Sequence, residues 1–416
     1  MITTINNKHN KLNVPNLRFP EFQGEWEKYK VSDLLDFYST NSLSWDKLEY
    51  GTDAIQNLHY GLIHVGLSTM IDLSKDKLPN ITNGNTPKNY ELCQEGDIAF
   101  ADASEDTNEV AKAVEFYKLK GKDVICGLHT IHGRDNLQKT VVGYKGYVFS
   151  STAFHHQIRR IAQGTKIYSI NSKNFSECYI GIPSKEEQKK IATLLRLIDE
   201  RIVTQNKIIE DLKKLKCAII EKHFRQAKLH KYKICDLGVP FSVGSLSKED
   251  LSEEGHECIL YGELFTTYDC VINEVKSHTN KIANTTLSQK GDLLFPSSTT
   301  VDAVSLISPS VIDISNVILG GDMFGIHIDK KFNAYYLSYY INLIARKKLA
   351  IYAKGSTIIH LHYKDIAKAQ LLLPDLCEQD KIAKCMMAED AKIKVEEQLL
   401  TKLEKQKQYL LRQMFI

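Results

Sequence analysis

The chain has 416 residues, 43% hydrophobic and 25% charged, with 54 Lys and Arg against 51 Asp and Glu. That length points to two or three domains, and the composition excludes a disordered or fibrous protein. A net charge of +3 does not by itself demand a polyanionic partner, and no run of about 18 uncharged apolar residues offers a membrane span.

Residues 1–14 are rich in Asn, Thr and Lys and lack the apolar centre of a signal peptide, so a flexible N-terminal tail is expected there. The nine cysteines form no C-x2-C or C-x4-C pair. That argues against a zinc or disulfide framework and for a reducing, cytoplasmic location, with no metal expected.

Residues 15–183 read as a globular, mixed α/β (α+β) domain. Short β-type runs such as Ile98-Ala99-Phe100 and Val141-Val142 alternate with turns marked by Gly and Asp. The loop after the Gly96-Asp97 strand offers Asp102 and Ser104, and the segment from Phe149 to Gly164 carries His155, His156, Arg159 and Arg160. Thr165, Lys166 and Tyr168 follow Gly164. A glycine followed by hydroxyl, basic and aromatic residues suits close approach to a phosphate backbone and hydrogen bonds to base edges. For any single one of these residues, a solvated surface role remains the plain alternative.

A long helix is expected over 184–229. Ser184 is a good N-cap and Glu187 stands three residues on, the signature of a capping box. Leu195, Ile198, Ile202, Ile209 and Leu212 then recur with a 3.5-residue period interrupted by Gln205, and no Gly or Pro occurs from Ser184 to Ala227. Such a helix would run roughly 60 Å. From Lys207 to Lys233 there are nine Lys and Arg against three acids. A solvated helix face explains such a run in most proteins, and nucleic acid beside the helix would be the functional explanation.

The chain then repeats itself. GTKIYSI…IPSKEEQKKIA from Gly164 returns as GSTIIHL…LPDLCEQDKIA from Gly355, and the register holds without a gap to Phe224 and Phe415. Upstream, Lys30-Val31-Ser32-Asp33-Leu34 resembles Lys233-Ile234-Cys235-Asp236-Leu237, and Gln94-Glu95-Gly96-Asp97 resembles Gln289-Lys290-Gly291-Asp292. Two long units exclude a solenoid or propeller. The second globular domain is expected over 230–373. Ser297, Ser298 and Thr299 follow its Gly-Asp strand, a helix from Tyr335 to Ala353 carries Arg346, Lys347 and Lys348, and Ser356, Thr357, His360 and His362 follow Gly355. The second long helix, over 374–416, places Met386, Ile393, Leu400, Leu403 and Leu410 on the equivalent face. Both stripes suit a coiled-coil seam. A pseudo-twofold axis would make the paired helices antiparallel, with a globular domain at each end. Two helices packed into separate domains are the alternative.

Catalytic signatures are missing. There is no G-x-x-x-x-G-K-[ST] loop, no G-x-G-x-x-G turn and no Asn-Pro-Pro-Tyr-like motif of an adenine methyltransferase. Pro374-Asp375 with Glu378 and Lys381 faintly resembles a nuclease metal motif, but helix capping explains those residues better. His155-His156 and His360-x-His362 lack a carboxylate partner recurring in both repeats.

The opening Val14-Pro15-Asn16-Leu17-Arg18-Phe19-Pro20-Glu21-Phe22 with Trp26, and the two Pro…Glu-Gln-x-x-Ile-Ala helices, resemble the specificity (S) subunits of bacterial type I restriction-modification systems over nearly the whole chain. The resemblance implies two target recognition domains, each reading one half of a bipartite double-stranded DNA target. It implies helices that set the spacer and dock two methyltransferase (M) subunits, with restriction (R) subunits joining the complex. This chain would be non-catalytic and bind no cofactor of its own. S-adenosylmethionine, ATP and Mg2+ would serve the partner subunits. A coiled-coil adaptor without DNA specificity is the competing expectation, and a stand-alone nuclease a more distant one.

Overall fold

The computed structural model describes residues 13–416, together with the backbone of the two-residue strand Thr3–Thr4, which pairs antiparallel with Leu17–Arg18. The remainder of the tail expected over 1–14 lies outside the described residues. The chain divides into two compact units that do not follow chain order. The first joins residues 1–206 to 398–416, and the second spans 207–397.

The first unit is built on a five-stranded sheet in the order Asp36–Tyr38, Thr130–Arg134, Ile98–Ala101, Ala113–Lys118, Met70–Asp72. Its central strand Ile98–Ala101 is wholly buried, as an uninterrupted apolar run between two packed faces requires. A second sheet orders Val124–Cys126, Gln56–Leu58, Asn80–Ile81 and Leu48–Glu49. The second unit repeats this design. Its main sheet runs Gly238–Ser242, Met323–Ile328, Asp292–Pro296, Ser310–Ile312, Val271–Ile272, and its other sheet gains one edge strand, Thr286–Leu287. The duplication read from sequence is therefore a duplication of topology. Val141 and Val142, expected as strand, instead form a turn. The Val141 N–H donates to Gln188 Oε1 at 2.9 Å rather than to a neighbouring strand.

Helix α1, Lys185–Gln226, and helix α2, Leu376–Gln413, have the expected lengths. Ser184 Oγ accepts from the Glu187 N–H at 3.3 Å, and Asp375 Oδ1 from the Glu378 N–H at 3.0 Å, so both caps form. The reciprocal half of each capping box gives way to an ion pair. Glu187 is buried and takes a two-pronged bond from Arg18, 2.8 Å on each arm, because a buried carboxylate needs a cation. Glu378 is more open and pairs with Lys381 at 2.6 Å. The glutamine that follows has a structural task in both copies. Gln188 donates to the Pro183 carbonyl at 2.9 Å, and Gln379 to the Pro374 carbonyl at 2.8 Å. Each also accepts from a loop N–H, that of Val141 or Asn333.

The early turns of each helix enter a globular core. Ile191, Leu195 and Ile198 are buried in the first unit's core with Leu410, and Ile382 and Met386 in the second unit's core with Ile220. Ile209, Leu212 and Ile393 are also buried, whereas Ile202, Leu400 and Leu403 are half-buried. Within each unit the two helices run antiparallel. Lys407 meets Asp199 at 2.6 Å in the first, while Lys213 meets Glu397 at 2.7 Å and Lys216 meets Asp390 in the second. Among the described residues no helix is long and apolar enough to cross a membrane.

Candidate nucleic-acid interface

Each unit carries the same exposed turn. In the first, Gln163 and Ser169 exchange backbone hydrogen bonds at 2.9 and 2.8 Å, and Tyr168–Ser169 pairs antiparallel with Ala103–Ser104. In the second, Lys354 and His360 exchange them at 2.9 and 2.7 Å, and Ile359–His360 pairs with Ser298–Thr299. Gly164 (φ 137°) and Gly355 (φ 125°) open these turns, and a Cβ there would overlap the carbonyl oxygen of Ile167 or Ile358. Only glycine fits. The turns hold Thr165, Lys166 and Ile167 in one unit, and Ser356, Thr357 and Ile358 in the other, out in solvent.

A groove lies beside each turn. The first unit's has a volume of about 610 Å³ and is lined by Tyr60, His64, Ser104, Glu109, Lys112 and Ile167, among others. Its rim is partly acidic. Lys112 pairs with Glu109 at 2.7 Å, and His129 Nδ1 lies 3.2 Å from Asp102. The second unit's groove, about 1000 Å³, is lined by Tyr261, Phe265, Thr299, Arg346, Ile358 and His360, among others. Hydroxyls and aromatics dominate there. The rings of His360 and His362 stack 6.1 Å apart.

Several candidate residues sit elsewhere than the sequence suggested. Ser297 and Ser298 are buried, because the strand continues past Pro296 into the pairing with Ile359–His360, and Thr299 and Thr300 are the hydroxyls left open. Arg346 is half-buried and ties a loop, donating to the carbonyls of Val304 at 2.6 Å and Ser305 at 3.0 Å. Lys347 and Lys348 beside it are exposed. The helix expected from Tyr335 to Ala353 runs as Ala334–Tyr340, a π-helical stretch Ile341–Ala345, Arg346–Leu349 and a final 3-10 turn.

In the first unit His155 lies half-buried, and burial, with Arg159 beside it, pushes its pKa below the ordinary histidine value. His156 bonds Arg159 at 2.8 Å, Arg159 reaches Asn108 at 3.2 Å, and Arg160 is exposed. Four of the nine basic residues counted over 207–233, Lys213, Lys214, Lys216 and Arg225, are salt-bridged to acids on the helices. Asp375 caps the helix and Lys381 pairs with Glu378, in keeping with the capping explanation of these residues.

Two buried arrangements had no sequence signal, since their members are far apart in the chain. Asp97 accepts from His132 Nε2 at 2.7 Å and from the Arg134 guanidinium at 2.8 Å. Burial pushes the Asp97 carboxyl up, but those two partners outweigh it and hold the group below the usual carboxylate range. Beside them Cys93, Cys126 and His132 form a cluster whose ligand atoms lie within 4.8 Å of one another, the one such group of potential metal ligands among the described residues.

The family profile of the type I restriction modification DNA specificity domain matches residues 76–214 and again 222–405. The chain thus belongs to that family, carries its domain twice, and is a DNA-recognition specificity subunit of a type I restriction-modification system. Among its relatives is the protein of Methanocaldococcus jannaschii described as the type I restriction enzyme MjaX specificity subunit. It is 24% identical over 94% of this chain and 93% of its own length. The fold matches the solved type I S subunit of M. genitalium with a TM-score of 0.58 at 16% identity, covering 97% of this chain and 99% of that one. A chain from a structural study of assembly and conformational transition in a type I system gives 0.59 at 14% identity, over 93% and 96%.

Proposed function

We propose that each unit reads one half of a bipartite double-stranded DNA target through its exposed glycine turn and the groove beside it. The observation that carries this reading is the same turn built twice on one topology, beside grooves lined by different side chains. Shared backbone fixes approach to the phosphates, and different linings let the two halves select different bases. Thr165, Lys166 and Tyr168 act in one half, and Thr299, Ser356, Thr357, His360 and His362 in the other. Asp102 and Ser104, with Lys347, Lys348, Arg159 and Arg160, complete the two faces.

The helices act as the spacer, set the distance between half-sites and dock two M subunits, with R subunits completing the assembly in the cytoplasm. This chain performs no chemistry itself. Partners use S-adenosylmethionine for adenine methylation, and ATP with Mg2+ for restriction. The test is co-expression with a type I M subunit, followed by single-molecule sequencing for methyladenine. Methylation at a split motif of two short half-sites is expected. A soluble complex that modifies nothing would overturn the recognition reading, and absence of any complex would favour a protein-only adaptor. Two variants refine the test. One helical turn inserted after Ile202 should lengthen the spacer and leave both half-sites unchanged, and exchange of residues 230–373 should change one half-site alone.

A further inference from the structure

We propose that the core of the first unit holds a thiophilic closed-shell metal ion, zinc(II) or copper(I), bound by Cys93, Cys126 and His132. All three are buried, at 6%, 1% and 0% exposure. The sulfurs stand 3.6 Å apart. Two thiolates on one tetrahedral zinc, each at 2.3 Å, would lie about 3.8 Å apart, whereas a disulfide needs about 2.05 Å. The spacing is too long for a disulfide and fits two co-ligands of one ion.

The histidine supplies an independent observation. Its Nε2 is engaged by Asp97 at 2.7 Å, while Nδ1 is buried with no hydrogen-bond partner. A buried ring nitrogen left unsatisfied is costly unless something binds it. Metal-bound histidines characteristically give their other nitrogen to a carboxylate, which fixes the ring and its tautomer. Asp97, itself held by Arg134 at 2.8 Å, is placed for that task.

Comparison with the second unit shows that the shared fold does not require these residues. The matching strand segments are Val124-Ile125-Cys126-Gly127 and Val317-Ile318-Leu319-Gly320, so Leu319 stands where Cys126 does. Ser288 stands where Cys93 does, and by strand register Gly325 stands where His132 does, opposite Leu294 as His132 is opposite Ala99. All three potential ligands are present in one unit and all three are replaced in the other. There the Phe241 ring lies against Gly325 and would collide with any Cβ added to it. An aromatic ring packs one core at this point, and a metal closes the other.

Binding zinc(II) displaces the two thiol protons to solvent and leaves two thiolates, one neutral imidazole and the dication, a site of zero net charge. Copper(I) would leave it at −1. Soft thiolate ligands favour both ions over magnesium or calcium.

The test uses the full chain, purified without chelators under reducing conditions, with zinc and copper measured per chain by plasma mass spectrometry. The stripped protein is then reloaded with each metal in turn. About one equivalent of one of the two metals is expected, as for a structural site, and which of them fills it distinguishes the two ions. Cobalt(II) should add a thiolate-to-metal absorption band. The double variant Cys93→Ser, Cys126→Leu carries the residues that the second unit tolerates at these places. It should lose the bound metal and the cobalt band while keeping the circular dichroism of the metal-free wild type. Should that variant misfold, the wild type decides alone, through the cobalt band and a melting temperature raised by metal. Wild type that takes up neither metal, or equal loading of the double variant through Cys217, Cys235 or Cys377, would overturn the proposal.

Discussion

In the first unit the aspartate ending the Gly-Asp turn, Asp97, is held by His132 and Arg134, and Arg134 also reaches Glu91 at 2.7 Å. In the second unit its counterpart Asp292 has, among the described residues, His327 at 2.6 Å and the Gln289 N–H of its own turn. Both carboxylates are buried and cap the same turn, each accepting from the backbone N–H of the preceding glutamine. Their electrostatics diverge. For Asp292 burial prevails over its partners and raises the pKa, opposite in direction to Asp97. One backbone design thus tolerates a dense ion network or a single hydrogen bond at the same point, because the turn is secured by the backbone bonds that both share.

The largest expected effect tests this contrast directly. Asp97→Asn leaves Arg134 and His132 short of a buried partner and should cost about 3–5 kcal/mol. Asp292→Asn keeps an acceptor for His327 and should cost less than about 1 kcal/mol. Hydrogen exchange over Ile98–Ala101 and Asp292–Pro296 would report each, and equal losses would break the comparison. Next in size is the pair of helix-start glutamates. Glu187→Gln strands the buried Arg18 and should cost about 3 kcal/mol, while Glu378→Gln removes an exposed pair worth at most about 0.5 kcal/mol. Urea unfolding of the two variants separates them.

The turn glycines come third. Gly164→Ala and Gly355→Ala should each strain one turn by about 1–3 kcal/mol and weaken methylation through one half-site only, read by sequencing the modified DNA. Loss at both half-sites would refute independent reading. The smallest effect is that of pH on the second unit. Asp292 holds its proton more tightly folded than unfolded. Its contribution to stability is therefore fully present below the ordinary carboxylate value near 4 and is lost as pH rises through the higher folded value. Protection factors in Asp292–Pro296, with the intrinsic pH dependence of exchange divided out, should fall over that window, and Asp292→Asn should flatten the response.

Local rules made much of this fold legible. Ser184 and Asp375 sit at caps whose partners are three residues away, and the long helices follow from apolar spacing and the absence of Gly and Pro. Gly164 and Gly355 marked themselves by recurring in the repeat. What escaped depends on pairing across the chain. The partner of Glu187 is Arg18, 169 residues away, so a capping-box pattern hid a buried ion pair. Ser297 and Ser298 looked like loop hydroxyls until their strand found Ile359–His360. Cys93 and Cys126 carry no spacing signature, since they lie 33 residues apart and meet through the bridge between Leu92 and Ile125. For the turns and grooves the sequence located the neighbourhood, and the side chains that face outward emerged only from the register of the strands.

Met414 and Phe415 belong to the first unit's core, where the Phe415 ring meets Trp26 at 6.4 Å and Tyr144 at 6.0 Å. Domains generally fold in the order in which they leave the ribosome, but here the unit that begins first is the last to be supplied with all its residues. The second unit has all its residues once position 397 has been added. The first, though begun earlier, receives Met414 and Phe415, which pack on Trp26 and Tyr144, only after that point.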